Sequence, residues 1–322
     1  MKAVVCTQYG SPETLRYKEV ERPIPKEDQA LVKIHAASLN AADFETLRGE
    51  FVVRIASPRR PMYKILGSDF AGRIEAIGRN VRQFQVGDEI WGDLSFPLGY
   101  STFAEYVCVP GQALRLKPVN MTFEQAAAIP TAGVVALQNL LSKRPIEADQ
   151  KVLINGAGGG VGTFAVQIAK HFGAEVTGVD SADKLDMLKS IGADHVIDYT
   201  IEDFTRSEKQ YDLVLDVVAS RSIFNYKRVL GPEGIFIYVG GTTKAIFQSL
   251  LLGPLITKIG GNYMGIGKWE PNNKQDLDTL AELFTEGEVL PIIDRCCSLS
   301  ELPEAMRYLE DGHTLGKVVI SM

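Results

Sequence analysis

At 322 residues, 45% hydrophobic and with a formal net charge of −6, the chain holds more apolar material than one core usually takes, so two domains are the default. Its Lys and Arg are dispersed without runs, which argues against nucleic acid as a partner. Cys6, Cys108, Cys296 and Cys297 show no disulfide or zinc-knuckle spacing, and the amino-terminal apolar run is too short for a signal segment, so a cytoplasmic protein is expected.

Residues 1–118 read as β-rich. Short apolar or alternating runs at 30–36, 71–77, 89–91 and 104–109 are separated by turn signals at 10–12, 78–80 and 86–88. Pro118 is a plausible boundary, because Thr122 with Gln125 three residues on forms a capping-box pattern that opens a helix over 123–128. The uncharged stretches 125–142 and 245–257 are too polar or too short to span a membrane and read as buried or interface segments. From Lys151 the pattern alternates, with strands at 152–155, 175–180, 195–199, 212–218 and 235–239 and helices around 160–172, 182–191 and 222–230. That rhythm predicts a parallel, doubly wound sheet whose ligand lies at the strands' carboxyl ends. The tail holds a helix at 274–285, an apolar segment at 289–295 and a helix at 300–309 with Ser300 as N-cap and Gly312 past its end. A strand at 317–321 closes it and could return to the first domain's sheet.

The stretch 151–162 carries the chemistry. An apolar strand breaks into Gly156, Gly158, Gly159, Gly160, Val161 and Gly162 and re-emerges as a helix. Glycines there permit positive φ and close backbone approach, and N–H groups at a helix start favour a pyrophosphate, which predicts a dinucleotide. Asp180 ends the second strand 18 residues beyond Gly162. Its carboxylate can take both ribose hydroxyls, or it can cap the next helix and point away. Gly240 and Gly241, just after the last sheet strand, lie at the same edge and could admit the nicotinamide ribose. Valine at Gly159 or Gly162 is expected to weaken cofactor binding more than folding.

Several landmarks then occur in one order: Asn40-Ala41-Ala42-Asp43 with Arg48-Gly49, Gly67-Ser68-Asp69-Phe70-Ala71-Gly72, Val86-Gly87-Asp88, Phe103-Ala104-Glu105-Tyr106-Val107, Ile129-Pro130-Thr131-Ala132-Gly133, and the glycine turn. On these the chain resembles the medium-chain dehydrogenase/reductase superfamily, and within it the zinc-independent, zeta-crystallin-type quinone oxidoreductases. The resemblance implies an α/β protein with a GroES-like β-barrel catalytic domain at 1–119, to which 264–322 return, and a Rossmann NAD(P)-binding domain at 120–263, with the active site in the cleft between them. Zinc-using relatives carry a His at the position of Ser68; a hydroxyl is a poor zinc ligand, and no metal is expected.

The same resemblance places Asn40 and Asp43 near the nicotinamide, with Asn40 able to donate to the substrate oxygen. The alternative for this pair is a helix N-cap, and the usual Asn-Pro is Asn-Ala here. Tyr100 could be a substrate-side donor or a half-buried aromatic. Thr131 matches the residue whose hydroxyl faces the nicotinamide, while Ser181, Lys184 and Tyr199 match positions that hold a 2′-phosphate. The charge of Asp180 opposes that phosphate, so NADH is expected to be used at least as well as NADPH.

Hydride addition to a conjugated carbonyl spreads the developing charge over an enolate or hydroquinone and needs only hydrogen-bond donors. The expected activity is therefore NAD(P)H-dependent reduction of a small quinone or α,β-unsaturated carbonyl. An alcohol dehydrogenase or enoyl-thioester reductase is the alternative in the same class, and a non-catalytic, crystallin-type nucleotide-binding protein the alternative in another. Members of the family commonly pair Rossmann sheets edge to edge, so the resemblance implies a homodimer, with the uncharged stretch 245–257 apolar enough to sit in or near its interface.

Overall fold

The computed structural model describes residues 1–95 and 100–322 and divides into two compact units. The first comprises Met1–Ala132, Pro271–Ala281 and Ile293–Met322; the second comprises Gly133–Glu270 and Glu282–Ile292.

The first unit begins with an antiparallel pair, β1 (Lys2–Val5) and β2 (Arg16–Glu19). β3 (Gln29–Ser38) leads into two short helices, α1 (Ala41–Arg48) and α2 (Phe51–Ala56), then β4 (Asp69–Ile77), β5 (Glu89–Asp93), β6 (Tyr106–Pro110) and β7 (Arg115–Leu116). Alternation along β3 and β4 buries Val32, Ile34, Phe70 and Ile74 with Ile90 and Val109, the period-2 pattern of a sheet with one core face. α3 (Phe123–Ala128) follows with the expected capping box: Gln125 N–H donates to Thr122 Oγ1 (3.2 Å) and Thr122 N–H to Gln125 Oε1 (2.9 Å).

α4 (Pro130–Leu140) runs on into the second unit, whose elements are β8 (Lys151–Asn155), α5 (Gly160–His171), β9 (Glu175–Asp180), α6 (Leu185–Ser190), β10 (His195–Asp198), β11 (Tyr211–Asp216), α7 (Ile223–Arg228), β12 (Leu230–Tyr238), α8 (Thr243–Gly260) and β13 (Tyr263–Ile266). All six strands are parallel, in the order β10-β9-β8-β11-β12-β13. The order reverses at β8, so the glycine loop that follows β8 sits at the switch point, where ligands of open α/β sheets bind.

The tail supplies α9 (Lys274–Thr285), β14 (Ile293–Ser298), α10 (Leu302–Glu310) and β15 (Lys317–Ser321). β15 pairs antiparallel with β3 and parallel with β14, which returns the carboxyl terminus to the first unit's sheet. Its apolar side chains Val318 and Ile320 join a core with Leu39, Leu47 and Leu302.

The units' limits differ from 119/120 and 263/264 for local reasons. α3 packs on β3, β4 and β15, so it belongs with the barrel. Residues up to Glu270 stay with the parallel sheet because β13 extends it beside β12. Residues 282–292 also join that unit: the Gln167 amide donates to Leu290 O and accepts from Leu290 N–H, both at 2.9 Å. Ser300 is not the N-cap expected of it: Ser298 caps a 3₁₀ turn (Leu299–Glu301), with its N–H and Oγ both bonded to Glu301, and Glu301 is the N-cap of α10.

Of the two uncharged stretches, 125–142 is largely buried in α3 and α4. Residues 245–257 are two-faced within α8. Ala245, Ser249, Gly253 and Ile256 face inward, and a side chain at Gly253 would run into Met264 O, so glycine lets α8 lie close on β13. Phe247, Leu250, Leu251, Leu255 and Ile259 are exposed. No helix among the described residues is long and apolar enough to cross a membrane.

Candidate active site

In the first unit the end of β3, the start of β4, the first residues of α4 and the start of β15 bring polar side chains into an apolar interior. Asp69 lies at its centre, fully buried. Its Oδ1 accepts from Thr131 N–H (3.0 Å) and Thr131 Oγ1 (2.6 Å), and its Oδ2 accepts from Ser38 Oγ and Asn40 Nδ2, both at 2.9 Å. The buried Lys317 ammonium donates to Asn40 Oδ1 (2.6 Å) and Leu39 O (2.9 Å) and stands 3.7 Å from Asp69 Oδ2. Burial lowers the Lys317 pKa, and Asp69 and Asp43 oppose that shift.

Asn40 is the N-cap residue of α1, as one of the two sequence readings had it, yet its amide turns into the Asp69 cluster. Asp43, expected beside the nicotinamide, is engaged as a brace: Oδ2 accepts from Asn40 N–H (2.8 Å) and Oδ1 from Gly67 N–H (3.2 Å). Burial pushes its carboxyl up to about 7, with those N–H groups pulling the other way. Asp93 is buried as well; Oδ1 accepts from Ser95 N–H (2.7 Å) and Oγ (2.6 Å), and burial together with the nearby Asp69 raises its pKa. Tyr100 is half-buried in a left-handed backbone conformation (φ 55°), its ring 5.2 Å from that of Tyr63. Gly99 of that loop lies outside the described residues.

In the second unit Gly156 takes φ +79° and Gly159 is the N-cap of α5. The N–H groups of Gly160, Val161 and Gly162 form the first turn of α5, where no intrahelical acceptor exists, so they are available to an anion. A side chain at Gly162 would run into Gly156 O and the Ala157 backbone, whereas a Cβ at Gly159 meets only Gly156 O at 3.5 Å. Gly162 is therefore glycine for the fold and Gly159 for the open space above the helix, which corrects the expectation that valine at either would spare folding. Asp180, expected to face a ribose, holds the loop: Oδ2 accepts from Gly158 N–H (2.7 Å) and Oδ1 from Ser181 N–H (2.9 Å). Lys184, 3.4 Å from Asp180 Oδ1, is buried over Gly158 and not free in solvent. Ser181 is half-buried beside them, and Tyr199 is exposed, its N–H bonded to Asp180 O (3.2 Å). At the same sheet edge Gly240 O accepts from Ala219 N–H (2.8 Å), and Gly241 takes φ +137°.

Family models match both parts of the chain: an alcohol dehydrogenase GroES-like domain over residues 26–119 and a zinc-binding dehydrogenase domain over residues 191–320. A tomato (Solanum lycopersicum) 2-methylene-furan-3-one reductase is 34% identical over 99% of this chain and 79% of its own length. The chain belongs to the medium-chain dehydrogenase/reductase superfamily, in its zinc-independent quinone oxidoreductase branch. An NADPH-dependent alkenal/one oxidoreductase of Arabidopsis thaliana, named chloroplastic, is 31% identical over 99% of this chain and 79% of its own. The solved quinone oxidoreductase of Coxiella burnetii covers 100% of this chain and 99% of its own, with a TM-score of 0.89 and 32% identity.

Ser68, where the resemblance leads one to expect a His in zinc-using relatives, lies beside Asn40 in the first unit's polar cluster. Among the described residues no His, Cys, Asp and Glu side chains group to hold a metal ion. The structure brings Asn40, Asp43 and Thr131 to one cluster and the glycines, Asp180, Ser181 and Lys184 to another. Sequence reading missed Ser38, Asp69, Asp93 and Lys317. The available signal was an ionisable residue inside or at the edge of an apolar strand, which folding leaves buried and which therefore needs partners.

Proposed function

We propose that this protein reduces small quinones or α,β-unsaturated carbonyls by hydride transfer from NAD(P)H. The reading is carried by the glycine loop at the sheet's switch point, whose first-turn N–H groups suit a pyrophosphate. The names of the tomato, Arabidopsis and Coxiella relatives, an exocyclic-enone reductase, an alkenal/one oxidoreductase and a quinone oxidoreductase, support the substrate class. The bound nicotinamide supplies the hydride. Gly160, Val161 and Gly162 of the second unit would hold its pyrophosphate, with Gly240 and Gly241 leaving room for its ribose, and Thr131 of the first unit would face its ring by the family resemblance. Asn40 and Ser68 line the substrate's oxygen side, Asp43 holds α1 behind them, and Tyr100 packs with Tyr63 as a wall for a flat substrate.

Both cofactors are accommodated. Asp180 is engaged with the loop, so the preference for NADH loses the free carboxylate on which it rested, while Ser181 and the exposed Tyr199 stand at the edge where a 2′-phosphate would lie. A cofactor-oxidation screen with NADH and NADPH against quinones, enals and enoyl thioesters is expected to show turnover with a quinone or enone, and Asp180→Ala to weaken both cofactors alike. Cofactor binding without turnover on any acceptor would instead make this a crystallin-type structural protein, and a preference for enoyl thioesters would move it to that reductase class.

We also place it in the cytosol as a homodimer joined through the face of α8 on which Phe247, Leu250, Leu251, Leu255 and Ile259 are exposed. Light scattering at micromolar concentration is expected to give twice the chain mass, and a strict monomer would refute the pairing.

A further inference from the structure

A count of hydrogens in the Asp69 cluster singles out one side chain. Thr131 Oγ1 owns one hydrogen, and the 2.6 Å contact to Asp69 Oδ1 takes it. The Asn40 amide owns two; one goes to Asp69 Oδ2 at 2.9 Å and the other faces Ser68 Oγ at 3.5 Å. Lys317 fixes which way round this amide stands, because its ammonium can only donate and it meets Asn40 Oδ1 at 2.6 Å. Ser38 gives its hydrogen to Asp69 Oδ2 at 2.9 Å. Ser68 remains. Among the described residues its one contact able to take a hydrogen is Thr131 Oγ1 at 3.4 Å, and since Thr131 is already donating to Asp69, Ser68 is the donor in that pair. The Ser68 hydrogen is thus held by a long, weak bond beside the half-exposed Thr131, where an incoming oxygen can replace it with a shorter one.

We propose that Ser68 is a catalytic residue that donates a hydrogen bond to the substrate's carbonyl oxygen. When hydride reaches the conjugated carbon, the displaced electron pair moves to that oxygen, which becomes the enolate or hydroquinone oxygen. Ser68 stabilises it without giving up its proton, and water supplies the proton the product finally gains. Ser68 is 3% exposed, so the bond is made away from bulk water, where a donor aimed at developing charge is strongest. Asp69, Asn40 and Lys317 are positioning residues: Asp69 accepts the Thr131, Ser38 and Asn40 hydrogens and so leaves Thr131 Oγ1 as an acceptor, and Lys317 fixes the Asn40 amide.

The inference rests on the quinone or enone reading, and the test separates the two. Ser68→Ala, with the wild type as reference, is assayed with NADPH against a quinone and an enone, and its cofactor affinity and melting temperature are measured alongside. Removal of one hydrogen bond to a charged oxygen is expected to lower kcat about 10- to 100-fold, with KM changed less than kcat and with cofactor affinity and melting temperature kept. Ser68→Cys, which keeps the volume but weakens the donor, should lose activity in the same direction, and Ser68→Thr, which keeps the hydroxyl, should recover it. Wild-type kcat in either Ser68→Ala or Ser68→Cys would overturn the proposal. A wild type inert towards every quinone and enone would overturn the reading on which it rests.

Discussion

Gly159→Val is expected to leave a folded protein that binds NADPH or NADH roughly 10- to 10⁴-fold more weakly than the wild type, on the basis of one or two charge-assisted hydrogen bonds lost at about 1.5–3 kcal/mol each. The backbone at Gly159 is extended (φ −86°, ψ −179°), which valine adopts readily, and among the described residues the only atom within 4 Å of its Cβ is Gly156 O at 3.5 Å. The added methyls project over the first turn of α5, into the volume a pyrophosphate needs to reach the N–H groups of Gly160, Val161 and Gly162. Gly162→Val serves as the contrast. Its Cβ has no room against Gly156 O, so that variant is expected to lose folding stability first. Fluorescence titration of the cofactor beside a thermal melt separates the two effects. Unchanged affinity in folded Gly159→Val would mean that the pyrophosphate sits elsewhere.

Lys317→Met is expected to destabilise the protein by about 3–5 kcal/mol, because it removes the cation from a buried group of carboxylates and leaves Asp69 uncompensated. Urea denaturation would measure the loss. Adding Asp69→Asn should restore part of it, since the second change removes the stranded charge; additive losses would mean that the two residues do not interact.

The same carboxylates set a pH dependence. Burial raises Asp43 to about 7 and Asp216 to about 6, above the ~3.9 of an unfolded aspartate. Between those limits the folded state binds more protons than the unfolded one. Their contribution is therefore fully present below about pH 4 and is lost as pH rises, by about 6 for Asp216 and about 7 for Asp43. Lys317, whose pKa is lowered, contributes in the opposite sense. Denaturation at a series of pH values should show stability falling over this window in wild type, with a shallower fall in Asp216→Asn.

Much of the parallel-sheet unit was legible in the residues. The strand at Glu175–Asp180, the helix at Phe123–Ala128 with its Thr122 cap, the helix at Lys274–Thr285 and the strand at Lys317–Ser321 fall where period and capping put them, because those signals act within a few residues of chain. The glycine turn was legible for the same reason: positive φ at Gly156 and a helix start at Gly160 are local demands that few other residues meet. Of the short helices, the start of α1 was legible only as the alternative N-cap reading of Asn40, and α2 was not, since six residues hold too few periods to stand out from a turn-rich stretch.

What the sequence could not decide is where a charged side chain points once it is buried. Asp180 ends its strand as expected, yet whether its carboxylate meets a ribose or the Gly158 N–H depends on how closely β8 and β9 bring the loop to it, a distance set by sheet packing. Asp69 and Lys317 are 248 positions apart and meet only because β15 docks on β3 beside β4. By itself the sequence determined most strands of the parallel sheet, the family and the glycine turn, all encoded by local periodicity, glycine and motif spacing. Only the tertiary structure decided which polar groups share hydrogens around Asp69, and so left Ser68 with one to give, because hydrogen-bond partners in a buried cluster are fixed by strand pairing over long stretches of chain and not by neighbours in the sequence.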